Sequence, residues 1–222
     1  MNHIRAEIAP APQEPANPRP ETGVDTADES QREVFGRQLR KLRQDRGMTL
    51  TECSRLTGLA ISTLSKAERG LMALTYDRLM QLATGLGVDM SALFGAKGAS
   101  FQPGSVAVAR LGEFQLQETP TYTYEILFPE VWSKAMTPMS GVVKARSRND
   151  FADFIRHSGQ EFVFVQSGQL TIHFEGREPI TLAAGESLYF DSGIGHIYTS
   201  TSEDEARVLV VCLSDPIQSG GL

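Results

Sequence analysis

The sequence predicts a multidomain chain of α-then-β class: five short helices, then a strand-rich unit closing as an antiparallel barrel or jelly roll. Three observations predict it. Between residues 32 and 95 apolar side chains recur at helical spacing, and glycines stop one helix after another. Beyond residue 104 the period changes to two, in short runs broken by Gly, Pro and Asp/Ser turns. Between them lies a Gly-rich stretch, AKGASFQPG, with the composition of a linker. The chain therefore divides into a tail (1–31), a helical module (32–95), a linker (96–104), a strand-rich module (105–214) and a C-terminal segment (215–222).

Within the first module, Phe35, Leu39 and Leu42 repeat at i, i+4, i+7, with Arg37, Arg40, Lys41 and Arg43 mostly on the other face. Gly47 stops this helix. Thr49-Leu-Thr-Glu52 reads as a capping box opening a second helix, which ends at Gly58. A third helix spans Ile61–Arg69 and stops at Gly70. Thr75 can cap a fourth, striped by Leu79, Leu82, Ala83 and Leu86 before Gly87. Met90, Leu93 and Phe94 fall in a short fifth turn. The tail holds five of the eleven prolines and almost no large aliphatic side chains, so it is expected to be disordered.

Charge separates the parts. The 222 residues carry a net charge of −6, yet residues 32–95 hold ten basic and six acidic side chains, a net of +4 between two acidic flanks. A basic block of this kind suits an acidic partner such as nucleic acid. Two cysteines, Cys53 and Cys212, exclude a disulfide framework and a four-cysteine zinc site. Both read as core thiols, and a reducing, cytoplasmic compartment is expected. The longest apolar run, Val208–Leu213, is far too short to span a bilayer, so no membrane is expected among the partners.

Two helices joined by a tight Gly-containing turn make a helix-turn-helix signature. The segment GRQLRKLRQDRGMTLTECSRLTGLAISTLSKAERG, followed by LTYDRLMQLATGLGVDMSALF, closely resembles the lambda-repressor-like helix-turn-helix of the XRE family. The resemblance implies that the third helix lies in the major groove while the second braces the phosphates. Carried over, Ile61, Ser62 and Lys66 become base-reading residues, with Thr63 and Ser65 near the backbone. Ile61 offers no hydrogen bond and can only pack on a thymine methyl. Thr49, at a helix N-terminus, becomes a phosphate contact. Arg43 and Glu68 match a structural ion pair of the family.

In the second module, strand-like runs fall at 122–128, 141–146, 161–166, 169–175, 187–190 and 206–213. His157, Glu161 and Gly168, then Gly185 and His196, follow the two motifs of a cupin, which this module resembles. That implies a double-stranded barrel in which two imidazoles and a carboxylate converge. His157, Glu161 and His196 become ligands for one divalent metal (Zn, Fe or Ni). The family's first histidine is Ile155 here, its proline Asp191 and its last asparagine Ser200. Arg146, Arg148, Tyr122, Tyr124, Trp132 and Tyr198 are candidates to line a ligand pocket.

Together the two resemblances imply a transcriptional regulator and not an enzyme. Its helix-turn-helix would bind near-palindromic operator DNA, and its cupin would sense a small-molecule effector and hold a homodimer. The alternative is a metal-dependent cupin oxygenase or isomerase fused to a DNA-binding domain. The third histidine such a site needs is missing, and no second acid/base pair completes a catalytic set.

Overall fold

The structure, a computed structural model, describes residues 24–95 and 101–213. The tail up to residue 23, residues 96–100 of the expected linker and the C-terminal segment lie outside the described residues. The helical part comprises α1 (Val24–Asp45), α2 (Leu50–Thr57), α3 (Ile61–Glu68) and α4 (Tyr76–Leu86). Four α-helices form where five were expected, because Met90–Phe94 is a 3₁₀ turn. Asp89 caps that turn by accepting from the Ser91 N–H at 2.9 Å, and Gly95 ends it at φ 80°. Five residues between a cap and a glycine are too few for α-helical propagation.

α1 also begins earlier than expected, at Val24, inside the segment read as disordered tail. No proline lies between Pro20 and Pro103, so none interrupts the helix. The capping box forms as read. Thr49 Oγ1 accepts from the Glu52 N–H (3.2 Å), and Glu52 accepts from the Thr49 N–H (2.7 Å). Gly58 closes α2 in the left-handed region, which admits glycine without the Cβ penalty.

Phe35, Leu39, Cys53, Leu64, Leu79 and Leu82 fill the centre of the bundle. Two glycines let the helices meet. A Cβ on Gly36 of α1 would stand 2.6 Å from the Ala67 carbonyl oxygen on α3; one on Gly85 of α4 would stand 2.7 Å from Leu56 O on α2. Glycine to alanine inside a helix normally gains about 0.5–1 kcal/mol. Here backbone blocks the methyl, so Gly36→Ala is expected to lose about 1–3 kcal/mol in a urea melt. A neutral or stabilised variant would show that α1 and α3 do not pack this closely.

Nine strands are described: β1 (Phe114–Glu118), β2 (Tyr122–Leu127), β3 (Met136–Val143), β4 (Gln160–Ser167), β5 (Gln169–Phe174), β6 (Ile180–Ala183), β7 (Ser187–Asp191), β8 (His196–Ser200) and β9 (Ala206–Leu213). They form an antiparallel six-stranded sheet, β1-β2-β3-β9-β4-β7, and a three-stranded sheet, β6-β5-β8. Among the described residues no continuous ladder joins them, so the closed barrel expected from the sequence is not seen. What is seen is a two-sheet cupin-like sandwich with open edges. Val163, Val165, Val208 and Val210 of the larger sheet and Leu170, Ile172 and Tyr198 of the smaller belong to its buried core.

The helical and strand-rich parts touch. Gln31 of α1 accepts from the Leu116 N–H at 2.8 Å, and the Leu74 N–H donates to Gln117 Oε1 at 3.3 Å. Asp89 Oδ2 accepts from the Ser133 N–H at 3.0 Å. These contacts bring the first turn of α4 against the sandwich.

Candidate DNA-binding face and ligand cavity

The outer face of α3 carries the residues expected to meet DNA. Ile61, Ser62 and Lys66 are exposed, Thr63 and Ser65 are half-buried, and Leu64 and Ala67 pack inward. Helical spacing accounts for the split: positions 64 and 67 share the core stripe, and 62 and 66 lie opposite. Arg43 holds the C-terminal end of α3. Its Nε and Nη2 donate to Glu68 at 2.5 and 2.9 Å, and Nη1 donates to Met48 O at 2.7 Å. Both side chains are largely buried. The Glu68 carboxylate raises the Arg43 guanidinium against the opposing effect of burial.

Thr49 is exposed, but both its N–H and its hydroxyl are bonded to Glu52 Oε2, at 2.7 and 2.8 Å. A phosphate arriving there meets a carboxylate already in place. Leu50 and Thr51, the next residues of that helix N-terminus, hold the other outward N–H groups.

In the sandwich, Glu161 is the hub of a buried polar group. His157 Nε2 lies 2.9 Å from Glu161 Oε2, and His196 Nε2 lies 3.6 Å from the same oxygen. The Cys212 thiol donates to Oε2 at 3.5 Å, and the Tyr198 hydroxyl donates to Oε1. Register explains the gathering: Glu161 on β4 stands opposite Cys212 on β9, and Ile155 bridges His196. His157, Glu161 and His196 are thus brought together as expected. Ile155 supplies only an apolar wall. The added donor is Cys212. Alternation along β9 marks it as core, but not that its sulfur faces a carboxylate.

Electrostatics follow from burial and pairing. Burial works to raise the Glu161 carboxyl, but the His157 hydrogen bond, both imidazoles and Tyr198 outweigh it and leave it below 4.5. Burial lowers His196 below 6.5, against the pull of Glu161. Burial, then the neighbouring Glu161, pushes the Cys212 thiol well up. The group at rest is therefore a carboxylate with a neutral His196 and a protonated thiol.

Around this group lies a small cavity. Tyr122, Tyr124 and Tyr198 line it as expected, with Met139 and Val208. Arg146, Arg148 and Trp132 do not. Arg146 binds the Ser202 and Glu203 carbonyls, and Arg148 stacks on Phe154 with its guanidinium carbon 4.4 Å from the ring centroid. The remaining wall comes from α4. Tyr76 meets the His157 ring edge-on, with centroids 5.1 Å apart, and Asp77 lies beside it. No sequence signal places these two residues here, because they read as an ordinary first helical turn.

Comparison with known proteins bears on both parts. A helix-turn-helix family model matches residues 39–93, and a cupin-domain model matches residues 149–212. The chain carries an XRE-type helix-turn-helix and a cupin domain. Along most of its length it is similar to the HTH-type transcriptional regulators PuuR and SutR of Escherichia coli. Identity to PuuR is 23% over 186 residues, covering 78% of this chain and 91% of that protein. Identity to SutR is 29% over 169 residues, covering 74% and 86%. A solved HTH_3 family transcriptional regulator from Vibrio cholerae shares the fold. Its TM-score is 0.55 at 22% identity, covering 85% of this chain and 99% of that one. Among the described residues no helix is long and apolar enough to cross a membrane.

Proposed function

We propose that the protein is a cytoplasmic, one-component transcriptional regulator: the helix-turn-helix binds operator DNA, and the cupin domain binds a small-molecule effector and pairs two copies. The observation that carries the reading is α3. Its core face is pinned by the Arg43–Glu68 pair while Ser62 and Lys66 stand outward, exposed among the described residues. Ser62 and Lys66 would meet base edges, Ile61 a thymine methyl, and Thr63, Ser65 and the start of α2 the phosphates. The functional units are proposed as 32–95 and 105–214, the first extended by the early turns of α1.

Footprinting of the tagged protein across the genome tests this directly. Enrichment at a small set of promoters, with log affinity falling linearly in log salt, is the expected result. Uniform occupancy, or binding indifferent to salt, would overturn it.

The donors around Glu161 suit one divalent cation. His157 Nε2, a Glu161 oxygen and Cys212 Sγ lie within 4.8 Å of one another, with His196 Nε2 adjacent. His196 Nδ1 is 2.9 Å from Ile194 O, which fixes the ring and leaves Nε2 toward the group. A thiol that gives up its proton to bind an ion, beside two imidazoles, favours Zn, Fe or Ni over Mg or Ca. When bound, the ion would offer open positions to oxygen or nitrogen atoms of the effector. Elemental analysis of protein purified without a metal-affinity tag should show stoichiometric metal that His157→Ala removes. Trace metal unchanged by that substitution would overturn the metal assignment.

A homodimer finds support on the outer face of the large sheet. Phe162 and Phe164 of β4 stand beside Val211 and Leu209 of β9, flanked by the exposed Tyr189. Two such faces together would set a pair of recognition helices about 34–36 Å apart on a near-palindromic site. The reading is non-catalytic, in keeping with the regulators the chain resembles.

A further inference from the structure

The cavity is not the cupin domain's alone. Tyr76 and Asp77, the first two residues of α4, form one of its walls, and α4 belongs to the helix-turn-helix. Tyr76 packs on His157 and is in hydrogen-bond contact with the Cys212 thiol. The remaining walls are strands and their connections. The space left for water is about 40 Å³, room for about three molecules. Sites for organic ligands run to about 300 Å³ or more. A small molecule can enter only if a wall gives way.

The walls differ in how firmly they are held. β2, β3, β4 and β9 are tied by continuous ladders, and the Tyr122 hydroxyl braces β8 by accepting from the Tyr198 N–H at 2.8 Å and donating to Tyr198 O at 3.2 Å. The α4 wall rests on isolated contacts, such as the 3.3 Å bond from the Leu74 N–H to Gln117. Two polar atoms at this junction, one on α4 and one on β1, have unmet needs. Asp77 Oδ1 and Gln117 Nε2 are buried with no hydrogen-bond partner among the described residues. A buried polar atom left unpaired costs about 1–3 kcal/mol, so this junction is weaker than its closeness suggests.

We propose that the cavity is a ligand site shared between the two domains, in which Asp77 and Tyr76 of the helix-turn-helix are themselves ligand contacts. The inference rests on the effector reading above and deepens it. Asp77 Oδ1 is a carboxylate oxygen lacking a donor, and the tyrosine rings, Met139 and Val208 form an apolar body for the site. The ligand class is therefore a small molecule with an apolar body and a hydrogen-bond-donating head that meets Asp77. Seating it displaces the first turn of α4, and α4 packs on α2 through Gly85. Occupancy and the posture of the DNA-binding helices become one equilibrium. Linkage makes the effect reciprocal: operator binding must alter the cavity's affinity for its ligand by the same factor as occupancy alters operator affinity, and the displaced α4 wall changes access to the cavity with it.

Cys212 reports that access without knowledge of the ligand, because its sulfur lies in the cavity under Tyr76. The full chain, freed of metal by chelator, is treated with methyl methanethiosulfonate. The labelling rate of Cys212 is followed by peptide mass, with and without a footprinted promoter fragment whose binding is verified by fluorescence anisotropy. A change of about fivefold or more on adding the fragment is expected, the lower range of typical coupling between sites. Tyr76→Ala should give fast labelling that the fragment no longer alters. An unchanged rate in the wild-type protein, with the fragment demonstrably bound, would overturn the shared site. If no fragment binds, the DNA-binding reading itself has failed. Wild type against Tyr76→Ala then still decides: equal labelling rates overturn the shared site and faster labelling in the variant supports it.

Discussion

Replacing Arg43 with alanine is expected to cost the helix-turn-helix about 3–5 kcal/mol and to abolish operator binding, although Arg43 is not placed on DNA. The side chain makes three hydrogen bonds, two to Glu68 and one to Met48 O, in a largely buried setting. Its removal leaves the Glu68 carboxylate buried without a counter-charge at the end of the recognition helix. Most of the loss is that stranded charge, so Arg43→Met combined with Glu68→Met should lose much less than Arg43→Ala alone. Urea denaturation of the three proteins separates the terms. A single variant losing under about 1 kcal/mol would mean the pair behaves as an exposed surface bridge.

Glu161 is the second site of large effect. Glu161→Ala strands His157 and the Tyr198 hydroxyl in a buried setting and is expected to cost about 3–5 kcal/mol, whereas Glu161→Gln keeps the shape and loses less. The two differ from wild type in acid as well. The folded-state value of Glu161 lies below 4.5, so its contribution is present above that pH and is lost as pH falls through the folded value. His196 is also lowered, from 6.5; the unfolded chain takes its proton first, and stability begins to fall as pH drops below 6.5. Metal-free wild type should therefore lose melting temperature in two stages between pH 7 and pH 3. Glu161→Gln should retain the first stage and show a smaller second, since backbone hydrogen bonds also hold Glu52 and Asp150 below their ordinary values. A flat profile in wild type would contradict the charge states assigned to the cavity.

Local chemistry was legible where it is decided by neighbours in the chain. The Thr49–Glu52 box, the stop at Gly58 and the core stripe of α4 all lie within one or two turns of sequence. The Arg43–Glu68 pair and the His157–Glu161–His196 group were legible through resemblance, which stands in for tertiary information. Three strands were not. β8 is buried on both faces, so His196–Ser200 shows no alternation; β6 has only four residues; and β1, FQLQE, is too polar to stand out. β3 starts at Met136 and passes through Pro138, a residue that reads as a strand breaker. Tyr76, Asp77 and the direction of the Cys212 sulfur depend on how two domains dock, and no local pattern encodes that.

The most direct measurement is operator affinity with the outward face of α3 altered and the fold kept. Ser62 and Lys66 are exposed, so Ser62→Ala with Lys66→Ala should leave the melting temperature within about 2 °C of wild type, as surface substitutions do. Anisotropy titrations would compare a footprinted promoter with a scrambled fragment across a salt series. Each base contact is worth about 1–3 kcal/mol, so the double variant should lose roughly a hundredfold or more on the promoter. On the scrambled fragment it should lose only what one phosphate-range charge supplies, with a salt slope smaller by about one. Equal affinity of wild type and double variant for the promoter would contradict the placement of α3 in the groove.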